Sequence, residues 1–107
     1  MNDDIFEKIV EKEVKIDNNM TKIMFTVNKR ISKGENVCLV GSLPELGNWQ
    51  DFKALMTWTK GDKWQYTLEI EKGTAFEYKY AVLRDHRVLY WEHGENRIID
   101  LKKDDQE

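Results

Sequence analysis

The sequence has one cysteine, one proline and two histidines among its 107 residues. A single cysteine cannot form a disulfide within the chain, and neither it nor the histidines fall into a metal-ligand spacing. We therefore predict no disulfide, no metal site and no cofactor. Cys38 stands inside an apolar run, so we expect a buried free thiol.

The sequence also lacks long apolar runs and a surplus of one charge. No apolar run in residues 1–15 is long enough for a signal-peptide core or a membrane span, which favours a cytoplasmic location and no membrane partner. Lys and Arg number 17 against 20 Asp and Glu, a net charge of -3, with both signs interspersed. Nucleic-acid binding calls for a basic surplus, so we expect an uncharged partner instead.

A period of two dominates the chain after residue 20. Apolar and polar residues alternate in residues 21–27, 63–70 and 76–82, as they do in half-buried strands. Shorter strands are indicated at residues 37–40, 56–59, 88–91 and 97–101. About seven short strands with turns between them predict an all-β fold, an antiparallel immunoglobulin-like β-sandwich.

The N-terminal residues follow a different spacing. Ile5, Phe6, Ile9 and Val10 repeat as on one face of a helix, and Asp4 can cap it, so a short helix is predicted over residues 4–13. This helix either packs on the sandwich or docks a partner. The predicted organisation is an N-terminal helical extension (1–19), one β-sandwich domain (20–101) and a charged tail (102–107).

Residues 37–49 form the most informative stretch. Four consecutive apolar residues, 37–40, suit a strand that is covered on both faces. Gly41-Ser42 ends this strand, and Pro44 and Gly47-Asn48 stiffen the loop that follows. Trp49 is therefore presented from a rigid loop.

Three short motifs extend this observation. They are Leu-Gly-Asn-Trp at 46–49, Phe-Glu-Tyr-Lys-Tyr at 76–80, and Trp91-Glu92 followed by Asn96-Arg97. In this order, and with Val-Gly-Ser at 40–42, residues 21–101 resemble the starch-binding modules of carbohydrate-binding module family 20. The resemblance implies a non-catalytic module that binds α-1,4-glucan, as starch, glycogen or malto-oligosaccharide, and targets an attached or associated enzyme or scaffold to the polymer.

The resemblance also implies roles for single residues. Trp49 and Trp91 would stack on adjacent glucose units, while Lys79, Glu92 and Asn96 would bond the hydroxyls. Glu92 and Asn96 have a second interpretation, in which they hold the loop in shape. We expect a monomer.

A second sugar site of the family departs from its pattern here. Lys33 stands where a tyrosine is common, which leaves Trp58 and Trp64 as its aromatics, and Trp64 alternates with core residues. The alternative function is a protein-interaction domain of the same fold, with a vestigial sugar site. A hydrolase is disfavoured because no motif pairs two carboxylates across a cleft, so no catalytic residue is predicted.

Overall fold

The computed structural model describes residues 5–102. These residues form nine strands and one 3-10 segment at Pro44–Trp49. The strands are β1 (Glu7–Lys15), β2 (Met20–Asn28), β3 (Glu35–Gly41), β4 (Ala54–Leu55), β5 (Thr57–Thr59), β6 (Lys63–Glu71), β7 (Ala75–Arg84), β8 (Arg87–Trp91) and β9 (Arg97–Asp100). No helix within residues 5–102 has the length and apolar character needed to cross a membrane.

The strands pair antiparallel in two sheets. One sheet has four strands in the order β1-β2-β6-β5, and the other has five, in the order β4-β3-β7-β8 with β9 also on β7. Strands β8 and β9 pair with successive parts of β7, at residues 81–84 and 75–78. The predicted all-β antiparallel architecture is confirmed.

The main core lies between the sheets, as the alternation of the strands requires. From β7 it takes Phe76, Tyr78, Tyr80 and Val82, and from the four-stranded sheet it includes Phe25, whose ring meets that of Tyr78 at 5.3 Å. Trp64 is 4% exposed and belongs to this core. Its Nε1 donates to the Lys29 carbonyl at 3.0 Å, so the buried indole N–H has a partner.

Strand β3 is buried on both faces. Val37 and Leu39 join the main core, whereas Cys38 and Val40 form a smaller cluster with Ala81 and Leu83 on the outer face of the five-stranded sheet. Trp49, Phe52 and Val88 pack over this outer cluster. Burial raises the pKa of the Cys38 thiol to about 12, so Cys38 stays protonated and serves as a small packing group.

The predicted N-terminal helix is wrong, because residues 7–15 form the edge strand β1. Asp4, the proposed cap, lies outside the described residues. A bulge shifts the β1–β2 register between Glu7 and Val10, and Lys8 there has a φ of 50°. The extra residue lets Phe6 and Ile9, three apart, both pack on the core, which reproduces a helical spacing within a strand. Pairing with β2 therefore outweighs the helical preference that the spacing of these residues indicates.

Candidate functional site

The loop after β3 leaves the sheet at a fixed point. A Cβ on Gly41 would lie 2.4 Å from the Glu77 carbonyl oxygen, so only glycine fits this close approach. The Ser42 backbone N–H donates to the same oxygen at 2.9 Å, and the Glu77 N–H donates to Ser42 Oγ at 3.0 Å. These contacts anchor the start of the loop to β7.

Backbone hydrogen bonds then hold the loop in one shape. The Leu43 carbonyl accepts from the N–H groups of Leu46 and Asn48 at 2.9 and 3.0 Å, and the Leu46 side chain is fully buried. Gly47, Asn48 and Trp49 follow each other with φ values of 82°, 50° and 64°. This left-handed conformation is unfavourable for a bulky aromatic residue, and strain of that kind is typical of ligand sites.

Trp49, Phe52 and Trp91 form an aromatic cluster on the outer face of the five-stranded sheet. The ring centroids of Trp49 and Trp91 lie 6.3 Å apart with an angle of 53° between the planes, and Phe52 lies 6.2 Å from Trp91. Trp91 is 37% exposed, while Trp49 and Phe52 are half-buried. The platform thus consists of two inclined indole rings, with Phe52 edge-on to Trp91.

Lys79 lies on the same outer face of β7 and reaches the loop after β8. Its Nζ donates to the Glu92 carbonyl at 2.9 Å and also to the Gly94 carbonyl. The side chain is half-buried. Lys79 therefore ties residues 92–94 to the sheet and places a cation beside the aromatic cluster.

Glu92 turns into the protein. Its side chain accepts hydrogen bonds from Arg97 Nε at 2.7 Å and from the Tyr80 N–H at 3.4 Å, and the residue is 7% exposed. The hydrogen bond with Glu92 raises the pKa of the Arg97 guanidinium, so Arg97 stays protonated. This placement suits the loop-holding interpretation of Glu92.

Asn96 remains at the surface. Its Nδ2 donates to Glu77 Oε1 at 3.2 Å, and its side chain is exposed. Contacts among β7, the loop of Trp49 and the loop of residues 92–96 thus connect the segments that carry all five residues predicted for the first site, although the Glu92 side chain is turned inward to Arg97. The five residues are Trp49, Lys79, Trp91, Glu92 and Asn96.

Phe52 and Glu77 contact residues of the candidate site, and the sequence analysis did not predict them there. Phe52 contacts Trp91 edge-on, and Glu77 accepts the hydrogen bond of Asn96. Phe52 follows Trp49 after the polar pair Gln50-Asp51, and this position was the sequence feature that could have indicated it. Glu77 lies inside the motif at 76–80 and points outward from β7.

The two tryptophans predicted for a second site do not form a matching platform. Trp58 and Trp64 are directly opposed on β5 and β6, but Trp64 is buried in the core. Trp58 is 54% exposed, and its Nε1 donates to Asp62 Oδ1 at 3.2 Å. Only Trp58 of this pair offers a free ring face.

The chain is similar to parts of several larger proteins. A glucoamylase of Neurospora crassa is 30% identical over 90 residues, which cover 78% of this chain and 14% of that protein. A cyclomaltodextrin glucanotransferase of a Bacillus species is 32% identical over 85 residues, covering 74% of this chain and 12% of that protein. The chain thus corresponds to a small part of each relative.

Solved structures share the fold. The family 20 carbohydrate-binding module of a maltotetraose-forming amylase from Pseudomonas saccharophila superposes with a TM-score of 0.56 at 22% identity, over 66% of this chain and 78% of that one. A glucoamylase from Hypocrea jecorina gives a TM-score of 0.61 at 26% identity, over 67% of this chain and 13% of that one.

A family model described as the starch binding domain matches residues 20–107, which is most of the chain. This match covers all three motifs that converge on the aromatic cluster. The chain therefore belongs to the starch-binding domains of carbohydrate-binding module family 20, non-catalytic modules that occur beside catalytic domains in related proteins.

Proposed function

We propose that this chain binds α-1,4-glucan at the aromatic cluster and thereby targets an attached or associated enzyme or scaffold to starch or glycogen. The observation that carries the proposal is the pairing of Trp49 and Trp91, with centroids 6.3 Å apart on the outer face of the sheet. The family match supports the ligand class.

The chemistry of a glucose ring fits this surface. Its faces carry C–H bonds and its edge carries hydroxyls, so flat aromatic groups and a few oriented polar groups recognise it. The 53° angle between the two indole planes suits a curved chain, in which neighbouring rings are inclined to each other. The α-1,4 linkage gives such a curve, whereas a β-1,4-linked glucan is nearly straight.

The polar groups of the site divide into two roles. The exposed Asn96 amide and the third N–H of the Lys79 ammonium, whose other two donors meet loop carbonyls, supply donors for sugar hydroxyls. Glu92, paired with Arg97, holds the loop that carries Asn96. Recognition in this scheme needs no charged group on the ligand.

The alternative, a protein-interaction domain with a vestigial sugar site, would use the N-terminal helix and a sheet face. Residues 7–15 are instead a strand of the sandwich, so that docking element is lost. A measurement of glucan binding distinguishes the two functions.

Titration with maltoheptaose, followed by tryptophan fluorescence, tests the proposal. We expect a saturable change in emission, because Trp49 and Trp91 would be covered by the ligand. Cello-oligosaccharide of similar length serves as the control, since it has the same sugar with β-1,4 linkages. No saturable response to maltoheptaose, together with no retention on insoluble starch, would contradict the proposal.

Binding should be nearly independent of salt. An uncharged ligand forms no ion pair with the protein and releases no counterions, so the dissociation constant should change less than about twofold between about 50 mM and about 500 mM NaCl. Isothermal titration calorimetry at these salt concentrations provides the measurement. A steep loss of affinity would point to a polyanionic partner instead.

Soluble malto-oligosaccharide should bind with a stoichiometry of about one per chain. The second pair of tryptophans lacks a platform because Trp64 is buried, and an exposed lysine, Lys33, stands beside Gly34. Calorimetry with maltoheptaose measures the number of sites. Two sites of comparable affinity would contradict this prediction and would assign a contact to Trp58.

Replacing Lys79 by methionine should weaken binding moderately. The change keeps most of the aliphatic stem but removes the ammonium, and with it the one N–H that the carbonyls of Glu92 and Gly94 leave for a sugar hydroxyl. A hydrogen bond is worth about 1 kcal/mol, so we expect about a fivefold loss of affinity. Lys63→Met, an exposed position on the other sheet, is the control, and equal affinities of both variants would refute a role for Lys79.

A further inference from the structure

Strand β1 lies outside the part of the chain that the family model matches, which begins at residue 20. It nevertheless forms the edge of the four-stranded sheet and pairs with β2 from Val10 to Lys15. The residues before β1 are also fixed. Phe6 is 8% exposed, and Lys29 Nζ donates to the Ile5 carbonyl at 2.9 Å. This segment is an integral part of the sandwich.

Two side chains of this segment meet Tyr80. The Phe6 ring stacks on the Tyr80 ring with centroids 5.7 Å apart and 29° between the planes. Glu11 is half-buried, and its Oε1 accepts hydrogen bonds from the hydroxyls of Tyr78 and, at 3.5 Å, Tyr80. The bulge in β1 adds one residue to this strand, so the residues after Lys8 point to the opposite face from the one they would otherwise take. Glu11 therefore points inward.

The two tyrosines are fixed donors toward this carboxylate. Burial raises the pKa of both hydroxyls, and Glu11 raises them further, so both groups stay protonated. A carboxylate that accepts two such donors is held in one position. The β1 strand is thereby linked to the middle of β7.

The backbone of Tyr80 forms hydrogen bonds with Glu92, at the start of the loop of residues 92–96. Its backbone N–H donates to Glu92 Oε1 at 3.4 Å, and its carbonyl accepts from the Glu92 N–H at 2.8 Å. The Arg97 guanidinium lies 5.8 Å from the centre of the Tyr80 ring and pairs with Glu92. Tyr80 therefore contacts β1 through its side chain and the glucan-binding loop through its backbone.

We propose that β1 is a built-in support of the glucan site and that Glu11 is a positioning residue. Its carboxylate fixes Tyr78 and Tyr80, and Tyr80 in turn fixes Glu92 and Arg97, which shape the loop of residues 92–96. The inference rests on the proposed function for its effect on affinity, but its effect on the loop is independent of any ligand.

The test compares Glu11→Ala with Glu13→Ala, the same change two residues along the strand at an exposed carboxylate. Amide signals of residues 92–96 and the Arg97 Nε–H signal are recorded by NMR without ligand. Maltoheptaose affinity is then measured well below the melting temperature. For Glu11→Ala we expect shifted loop signals and about a fivefold loss of affinity, and for Glu13→Ala neither change.

Each outcome decides the inference. If the wild type binds and Glu11→Ala binds equally well, β1 contributes to stability alone and the inference is wrong, whatever the melting temperature does. If the wild type does not bind maltoheptaose, the proposed function fails, and the ligand-free loop signals decide: shifted signals support the positioning role and unchanged signals overturn it. Should Glu11→Ala not fold, Glu11→Leu, which fills the space but removes the oxygen that accepts from both tyrosine hydroxyls, is judged by the same criteria.

Discussion

Replacing Trp91 by alanine is expected to lower the affinity for maltoheptaose about thirtyfold, while the melting temperature stays near that of the wild type. Truncation of a binding hot spot costs about 2 kcal/mol or more of binding free energy. Trp91 is 37% exposed and lies over the outer face of the sheet, away from the main core. Its loss therefore removes a ligand contact and leaves the space between the sheets filled.

Trp58→Ala is the matched control for this variant. Trp58 is more exposed than Trp91, at 54%, but it lies on the other sheet. Trp49→Ala is a less clean comparison because Trp49 also covers the outer cluster around Cys38, so we expect it to lose both affinity and some stability. Wild-type affinity of Trp91→Ala would show that the site assignment is wrong.

Replacing Trp64 by alanine should have the opposite phenotype. Trp64 is 4% exposed, and truncating a buried tryptophan costs about 3 to 5 kcal/mol of unfolding free energy, a large part of the total for one domain. The change also leaves the Lys29 carbonyl without its indole donor. Urea denaturation measures the loss.

The directly opposed Trp58 is again the control, because the same substitution at its exposed ring should change the unfolding free energy by about 0.5 kcal/mol or less. Below its denaturation midpoint, Trp64→Ala should bind maltoheptaose as the wild type does. A Trp64→Ala variant as stable as the wild type would contradict the placement of this ring in the core.

The sequence predicted the β-sheet core well because alternation is a local property. Phe76, Tyr78, Tyr80 and Val82 share one parity of β7, and the structure buries all four. The two-sided burial of residues 37–40 followed in the same way from an unbroken apolar run. Each of these predictions needed only the pattern within one strand.

The N-terminal strand could not be predicted by the same reasoning. Its bulge breaks the period of two, and the edge of β2 that it pairs with becomes available only in the folded sheet. The inward position of Glu11 was not predicted for the same reason, since a charged residue in the predicted helix is expected on its solvent-exposed face. Its two tyrosine partners lie more than sixty positions away along the chain.

The motifs brought the site residues together but did not give their orientation. Lys79 was predicted as a ligand donor, yet two of its three Nζ donors are directed to carbonyls of the neighbouring loop. Glu92 has its carboxylate on Arg97. These orientations depend on tertiary contacts, which a linear motif does not record. Direct contact of each residue with sugar stays a prediction.

The position of β1 at the edge of its sheet bears on whether strands of other molecules can add to that sheet. Its sequence, Glu-Lys-Ile-Val-Glu-Lys-Glu-Val-Lys, carries charges along an otherwise open row of backbone donors and acceptors, a common protection against strand addition by other molecules. Beneath it, β2 is nine residues long and regularly alternating, with an apolar inner face. A chain shortened to the family-matched region would expose the edge of β2. We expect such a chain to aggregate through this edge, which β1 covers in the intact sandwich.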